Sequence, residues 1–435
     1  MDLQKYKAAC VNVDVKRLGR VTQVVGLTIE SIGPDVSVGT ICHIKKNIHS
    51  KDFIQAEVVG FRDSNILLMP LGLLEGVGPD SIVEAQNSPL KIKVGYELLG
   101  RVLDGLGEPM DNMPSISSYT EYAVTNRAPD PLARNRISEP LPLGVKVIDG
   151  MLTLAKGQRV GIFAGSGVGK STLLGMITRN TKADINVVAL IGERGREVRE
   201  FIEKDLGEEG LKRSVLVIAT SDQPALVRLK AAEVATSIAE FFREEGKDVM
   251  LMMDSLTRYS MAQREVGLAV GEPPVSRGYT PSVFAALPKL LERGGNSDKG
   301  SISALYTVLV DGDDLTEPVT DTARGILDGH IILSRDIANK NHYPAIDVLG
   351  SVSRVMGEVV TPEHKKFANE IRKNMATYRE VEDLISVGAY ASGNNPEIDR
   401  AIELNDSIND FLTQDTEENI PFSDTLAIMR RIANN

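Results

Sequence analysis

Two cysteines in 435 residues, Cys10 and Cys42, are too few for a disulfide framework and stand at no metal-binding spacing. Histidine is also sparse, five in all, with no HxxxH pair, so a structural transition-metal site is not expected. No apolar run approaches the ~18 residues a membrane helix needs; the densest, VMLMM at 249–253, is strand-sized. The N-terminal stretch MDLQKYKAACVNVD lacks a basic segment followed by an apolar block, so no secretory signal is read and a reducing cytosol is the expected compartment. Positive charge is short too. Lys and Arg total 49 against 60 Asp and Glu, a net −11, which weighs against a chain that wraps nucleic acid by neutralising phosphates. Internal repeats and low-complexity tracts are missing. What remains is ordinary, 42% hydrophobic and 25% charged, with length enough for two or three domains.

The hydrophobic pattern changes twice along the chain. Over 1–92, RVTQVVGLTIESI, VSVGTICHI, FIQAEVVGF and NILLMPLG are short strand-like runs separated by turn residues, which predicts a small N-terminal β-barrel. Pro and Gly crowd 93–150 and read as ordered linking loops at the start of the next domain. Over 93–355, apolar runs such as RVGIFA, INVVALIG, SVLVIAT, DVMLMMD, SALYTVLV and GHIILS alternate with helical stretches. That alternation predicts an α/β domain around a mostly parallel sheet buried on both faces. Over 356–435 the strands stop. Phe367, Ile371, Met375 and Tyr378 form a helical stripe, Asn395-Pro396 reads as an N-cap with proline at N1, and Ser423 as a further cap. A C-terminal helical domain is expected.

The stretch GIFAGSGVGKSTLLGM, 161–176, runs from a strand into a helix. Gly165, Gly167 and Gly169, with Ser166 and Val168 between them, let backbone N–H groups turn inward at a helix N-terminus, where an anion is favoured. Lys170 can reach the β- and γ-phosphates of a nucleoside triphosphate, Ser171 can ligand Mg²⁺, and Thr172 would sit near the α-phosphate. The strict pattern has glycine where this chain has Ala164, which is tolerable if its φ is negative.

Hydrolysis needs more than binding. Asp254 ends the buried run VMLMMD and would face the same sheet edge as a metal-side carboxylate, or else cap the next turn. Glu193, in VVALIGERGREV, would hold the attacking water, or else join a surface salt-bridge cluster with Arg194, Arg196, Glu197 and Arg199. Arg194 would orient Glu193 or the phosphates rather than act as a base.

The blocks GSGVGKST, GERGREVREF, MMDSLTRYSMAQREV, GEPPVSRGYTPSVF and HYPAIDVLGSVSRV occur in order over 160–355. Together they resemble the rotary and type III secretion ATPase superfamily, most closely its flagellar protein-export branch, homologous to the catalytic subunit of F-type ATP synthase. That resemblance implies a RecA-like P-loop domain between barrel and helices, with ATP and Mg²⁺ as ligands. It implies Glu193 as catalytic carboxylate and Lys170, Ser171 and Asp254 at the phosphate and metal. It further implies Tyr343 against the adenine, and Arg354 reaching into a neighbour's nucleotide. Arg258 would lie near the metal and Tyr390 on the far side of the base. Asn394 and Asn395 stand where export members tend to carry acidic residues. Because Glu193 and Arg354 share one chain, the resemblance implies a homohexameric ring. Its implied partners are a coiled-coil shaft in contact with 271–282 and 311–318, a stator-like regulator, an export gate and chaperone–cargo complexes, at the inner face of the membrane. The alternatives are a virulence secretion ATPase, a synthase subunit, an RNA-dependent ring helicase, or a nucleotide-binding subunit without turnover.

Overall fold

The computed structural model describes residues 17–86, 88–310, 312 and 314–434; Cys10, the N-terminal stretch and two aspartates of the 311–318 loop lie outside them. Strands β1 (Leu18–Val25), β2 (Thr28–Ile32), β3 (Ile41–Lys45), β4 (Ile54–Arg62), β5 (Asn65–Pro70) and β6 (Ile82–Ala85) close into a barrel in the order β1-β2-β5-β4-β3-β6. Closure leaves no open sheet edge. Its interior holds Val21, Ile29, Cys42, Ile44, Ala56, Val58, Ile66, Leu68 and Val83, the inward members of the alternating runs. Glu57 on β4 meets the buried ammonium of Lys230 at 2.9 Å, which ties the barrel to the central unit.

The 93–150 stretch is more than linking loop. A two-stranded antiparallel sheet pairs β7 (Lys91–Val94) with β9 (Thr120–Ala123), while β8 (Val102–Asp104), between them in sequence, adds itself to the edge of the main sheet. Three residues between glycines and prolines give no readable periodicity, which is why this strand escapes a pattern search.

The main sheet runs β17-β16-β10-β15-β13-β11-β12-β8, with β10 (Arg159–Ala164), β11 (Ile185–Ile191), β12 (Ser214–Ala219), β13 (Asp248–Asp254), β15 (Ser301–Leu309) and β16 (Gly329–Leu333) mutually parallel. The two-residue strands β14 (Gly295–Asn296) and β17 (Val352–Ser353) add antiparallel pairs to β15 and β16. Every residue of β11 and β12 is buried, as a sheet covered on both faces requires. Alternation then splits β11 between two cores. Val187, Ala189 and Ile191 pack under helices Ala225–Glu244, Leu256–Val270 and Pro281–Leu291, whereas Val188 and Leu190 face helix Lys170–Asn180 and the C-terminal helices.

Those last helices are Pro362–Ser386, Pro396–Leu412 and Phe422–Asn434. Asn395 caps the second through Glu397 N, with Pro396 at N1. The third begins at Phe422, so Ser423 lies in its first turn rather than at its cap; its hydroxyl bonds Asp424 instead.

Candidate functional site

Parallel strands deliver the predicted residues to one edge of the sheet. β10 ends at Ala164, and the loop that follows carries Gly167 at φ 78° and Gly169 at φ 85°, left-handed positions where glycine is the natural occupant. Gly165 differs from the other two. It is buried directly after β10, has no positive φ and does not line the cleft beside the loop. The left-handed turns of the loop therefore fall at Gly167 and Gly169, while at Gly165 the chain is still leaving the strand. Ala164 itself has no positive φ. Helix Lys170–Asn180 starts directly after Gly169, and Val168 is buried beneath the loop. Ser166 and Gly167 are exposed, so the N-terminal amides open to solvent.

Two neighbouring strands bring the carboxylates. Ser255, not Asp254, caps helix Leu256–Val270, its hydroxyl accepting from Arg258 N. Asp254 is thereby left for other work. Its Oδ1 accepts from Thr307 Oγ1 at 2.7 Å and lies 2.5 Å from Lys170 Nζ. Thr307 sits on β15, between β10 and β13, so the bond crosses from the metal-side strand toward the phosphate-loop strand. Glu193 follows β11. Its carbonyl accepts from Ser221 N beyond β12, and its Oε1 stands 3.5 Å from Lys170 Nζ. The surface ladder that its neighbours could form does exist, as Arg194–Glu197, Arg196–Glu200 and Arg199–Glu203 pairs; Glu193 makes no ion pair with its arginines and meets it only through Glu197. Such exposed pairs are screened by solvent and contribute little. Glu193 faces inward.

Burial sets the electrostatics. It pushes the Glu193 carboxyl up, Asp254 adds to the push and Lys170 opposes it, leaving the group at about 7. The protonated form hydrogen-bonds Glu197, whose own carboxyl is lowered by that bond and by Arg194. Burial works against the Lys170 ammonium, but Asp254 and Glu193 outweigh it and its pKa is raised. The cluster can accept a proton near neutrality at Glu193 and offers a cation pre-aimed at the mouth of the loop.

Arg194 does not touch Glu193 directly; it is exposed and reaches that residue only through Glu197. Arg258 lies beside the cluster, its side chain packed over Gly192 and its Nε buried without a partner. Ser171 is exposed at the first turn of the helix. As to a divalent metal, no group of three or more acidic or histidine ligands occurs among the described residues. Magnesium held mainly by phosphates needs only one or two protein oxygens. The Ser171 hydroxyl and the Asp254 carboxylate, whose Oδ1 is already committed to Lys170 and Thr307, suit that lighter demand.

Beside the loop opens a cleft of about 600 Å³ lined by Gly167, Gly169, Thr172, Tyr343, Gln414 and Thr416, among others. Tyr343 is 39% exposed and its ring edge passes close to Gly169, where an added Cβ would stand 3.4 Å away. A flat aromatic at the wall of a half-open cleft is suited to a nucleobase. Sequence reasoning missed the opposite wall, residues 413–416. Gln414 holds it: its amide takes Lys146 N at 2.8 Å and donates to Gly144 O at 2.9 Å, and its backbone N–H donates to Tyr343 O at 3.0 Å. Nothing at "LTQDTEE" signals this beyond a polar loop after a helix. Tyr390, expected on the far side of the base, does not line this cleft. Its hydroxyl is bonded to Asn395 O and to Asp399, in the turn that Asn395 caps.

Arg354 is elsewhere. It follows β17, on the far edge of the sheet and beside the start of β16. It is exposed, its Nη2 donates to the carbonyl of Arg324 at 3.1 Å, and no carboxylate among the described residues lies within ion-pair distance. The intrachain salt bridge that its sequence context would allow does not form.

Residues 144–353 match the model of the ATP synthase alpha/beta family nucleotide-binding domain, 21–87 that family's beta-barrel domain, and 360–431 the T3SS EscN ATPase C-terminal domain. The chain is 55% identical to a flagellum-specific ATP synthase of Bacillus subtilis (strain 168), over 97% of this chain and 96% of that one. It is 51% identical to a type 3 secretion system ATPase of Xanthomonas euvesicatoria, over 96% and 94%. The solved structure of the assembled ATPase EscN from the enteropathogenic E. coli type III secretion system superposes with a TM-score of 0.90 at 47% identity. It covers 95% of this chain and 100% of that one. EscN in complex with its central stalk EscO gives 0.88.

Proposed function

Because the chain belongs to the ATP synthase alpha/beta family and to its type III export branch, we propose that it is the ATPase that energises flagellar protein export. It would work as a homomeric ring in which Arg354 of one copy completes the nucleotide site of the next. The observation that carries this reading is the division of labour within one chain. Lys170, Glu193 and Asp254 converge on the phosphate loop, while Arg354 stands exposed and unpaired at another edge of the sheet. A head-to-tail contact that closes on itself brings such halves together.

The chemistry follows from the apo contacts. The triphosphate enters the loop of N–H groups at 165–172 and draws Lys170 away from Asp254 and Glu193 toward the β- and γ-phosphates. Magnesium arriving with the nucleotide would be held by Ser171 and Asp254 and would neutralise charge on the phosphate oxygens. Glu193, no longer facing the ammonium, orients the attacking water and accepts its proton as the γ-phosphoryl departs. Tyr343 and the Gln414-pinned loop hold the adenine. The neighbour's Arg354 stabilises the charge developing on the transferred group.

A coiled-coil stalk at the ring's centre is the partner proposed for the 271–282 segment, by analogy with the EscN–EscO complex. In this chain that segment is stiffened by Pro273 and Pro274 and tethered by Arg277 to Asp314 at 2.8 Å. The proposed place of work is the cytoplasmic face of the export apparatus; no helix among the described residues is long and apolar enough to cross a membrane. A second reading, a virulence secretion ATPase, is favoured by the 51% identity to the Xanthomonas relative. Loss of filament assembly on gene deletion separates the two.

Glu193→Gln tests the mechanism. ATP should still bind, and turnover should fall by about 10²–10⁴-fold; unchanged turnover would remove Glu193 from the reaction.

A further inference from the structure

Arg324 lies in the last turn of helix Pro318–Ile326, and its carbonyl is the one that receives Arg354 Nη2. The residue is half-buried, and its Nε is enclosed without a partner. No carboxylate among the described residues lies within ion-pair distance of Arg324 or of Arg354. Asp321, three residues earlier on the same helix, makes no ion pair with Arg324, and Asp328, four residues later, is committed to Arg159 at 3.0 Å. Other enclosed arginines are held either by a carboxylate, as Arg293 by Glu240 and Arg101 by Asp111, or by backbone carbonyls, as Arg213 and Arg243; the Arg324 guanidinium has neither among the described residues. His330, half-buried nearby, offers no counter-charge. Burial holds its imidazole below the ordinary value, and Arg324 and Arg354 both add to the effect. Next to Arg324, a Cβ added to Gly325 would meet nothing within 4 Å, so the surface there is open. A chain of net charge −11 thus keeps two arginines in contact, the side chain of one on the backbone of the other, with no carboxylate among the described residues within ion-pair distance of either.

We propose that Arg324 is a second interface cation, placed beside Arg354 to meet the polyphosphate of a nucleotide held by a neighbouring copy of this chain. Burying two unpaired cations disfavours the empty interface, and a polyanion that meets both supplies the missing counter-charge. Arg324 contributes to ground-state binding and so to nucleotide-promoted ring closure, whereas Arg354 serves the transferred phosphoryl group. The inference rests on the trans-acting role of Arg354.

The test is assembly of the full chain, followed by sedimentation velocity during titration with a magnesium complex of a non-hydrolysable ATP analogue. Arg324→Gln should need roughly tenfold more nucleotide for half-assembly. Binding of a fluorescent nucleotide by dilute protein should be unchanged, and Arg324→Lys should recover most of the assembly. The proposal is overturned if the Gln variant assembles like the unaltered chain, or if the Lys variant fails as badly as Gln. Should Gln prevent folding, Arg324→Met keeps the apolar stem and replaces it under the same criteria. A separate mixture of Glu193→Gln with Arg354→Ala chains tests the premise. Turnover above that of either alone shows action across an interface, and no gain removes Arg324 together with Arg354. A gain in that mixture with normal assembly of Arg324→Gln removes Arg324 alone.

Discussion

Lys170 and Arg354 are both cations that the proposed reaction needs, and the chain treats them in opposite ways. Lys170 is enclosed between Asp254 at 2.5 Å and Glu193 at 3.5 Å, while Arg354 is exposed and bonded to a carbonyl. One end of the sheet satisfies its charges internally until a nucleotide arrives; the other leaves them for something outside the chain. A buried ion pair is an integral part of its fold, whereas an exposed unpaired arginine is not. The same reaction therefore draws on one residue that stability depends on and one that it does not.

The largest expected effects separate these two. Arg354→Ala should lower turnover by about 10³-fold or more, the scale of losing an arginine that acts on a transferred phosphoryl group. Its melting temperature should hardly move, with stability within about 0.5 kcal/mol of the unaltered chain. Lys170→Ala should remove turnover as well, but it strands two buried carboxylates and should cost about 3 kcal/mol in the nucleotide-free protein. Calorimetry of the two variants without nucleotide checks this. A clear drop in the melting temperature of Arg354→Ala would erase the contrast.

A smaller effect sharpens it through pH. The Glu193 carboxyl is raised from an ordinary 4.5 to about 7 in the folded chain. A group raised on folding contributes stability that is complete below its unfolded value and lost as pH climbs through the folded one. Glu193→Gln, which mimics the protonated state, should therefore match the unaltered chain near pH 4.5 and exceed it at pH 8, by ~1–3 kcal/mol. Arg354→Gln should show no such dependence. The same carboxyl should place the acid limb of kcat/KM near 7, since that ratio reports the free enzyme. A limb near 4.5 would mean that Glu193 is not the base.

How much of this could be read from residues alone follows the same division. The phosphate loop, Glu193 and Asp254 announce themselves because each stands at the end of an apolar run, and parallel strands send all such ends to one edge. The barrel and the helical domain were legible for a similar reason, their periods of two and 3.6 being sustained. Contacts between distant segments were not. That Ser255 rather than Asp254 caps the next helix, or that Gln414 pins the cleft wall to Gly144 and Lys146, depends on side-chain directions that spacing does not encode. Nor does spacing tell which glycine of the phosphate loop bends the chain, since Gly165 stands in the same pattern as Gly167 and Gly169 without sharing their φ. β8 was lost because three residues carry no period. Arg324 was missed because an arginine late in a short helix reads as an ordinary dipole partner, and only the lack of an ion-paired carboxylate among the described residues, with its Nε enclosed and unpartnered, marks it out.

The two tyrosines proposed for the base give the smallest effect and the finest distinction. Tyr343 lines the cleft and packs near Gly169, whereas Tyr390 spends its hydroxyl on Asn395 and Asp399 in a turn outside the lining. Stacking on one aromatic is worth about 1–3 kcal/mol per base. Tyr343→Ala should accordingly weaken ATP binding by roughly tenfold. Tyr390→Ala removes ring and hydroxyl together and should leave affinity unchanged while loosening the turn before helix Pro396–Leu412. Isothermal titration with ATP against both variants decides it. Equal losses would place Tyr390 at the nucleotide after all, carried there by a movement of the helical domain, and the cleft would then be completed by closure rather than preformed.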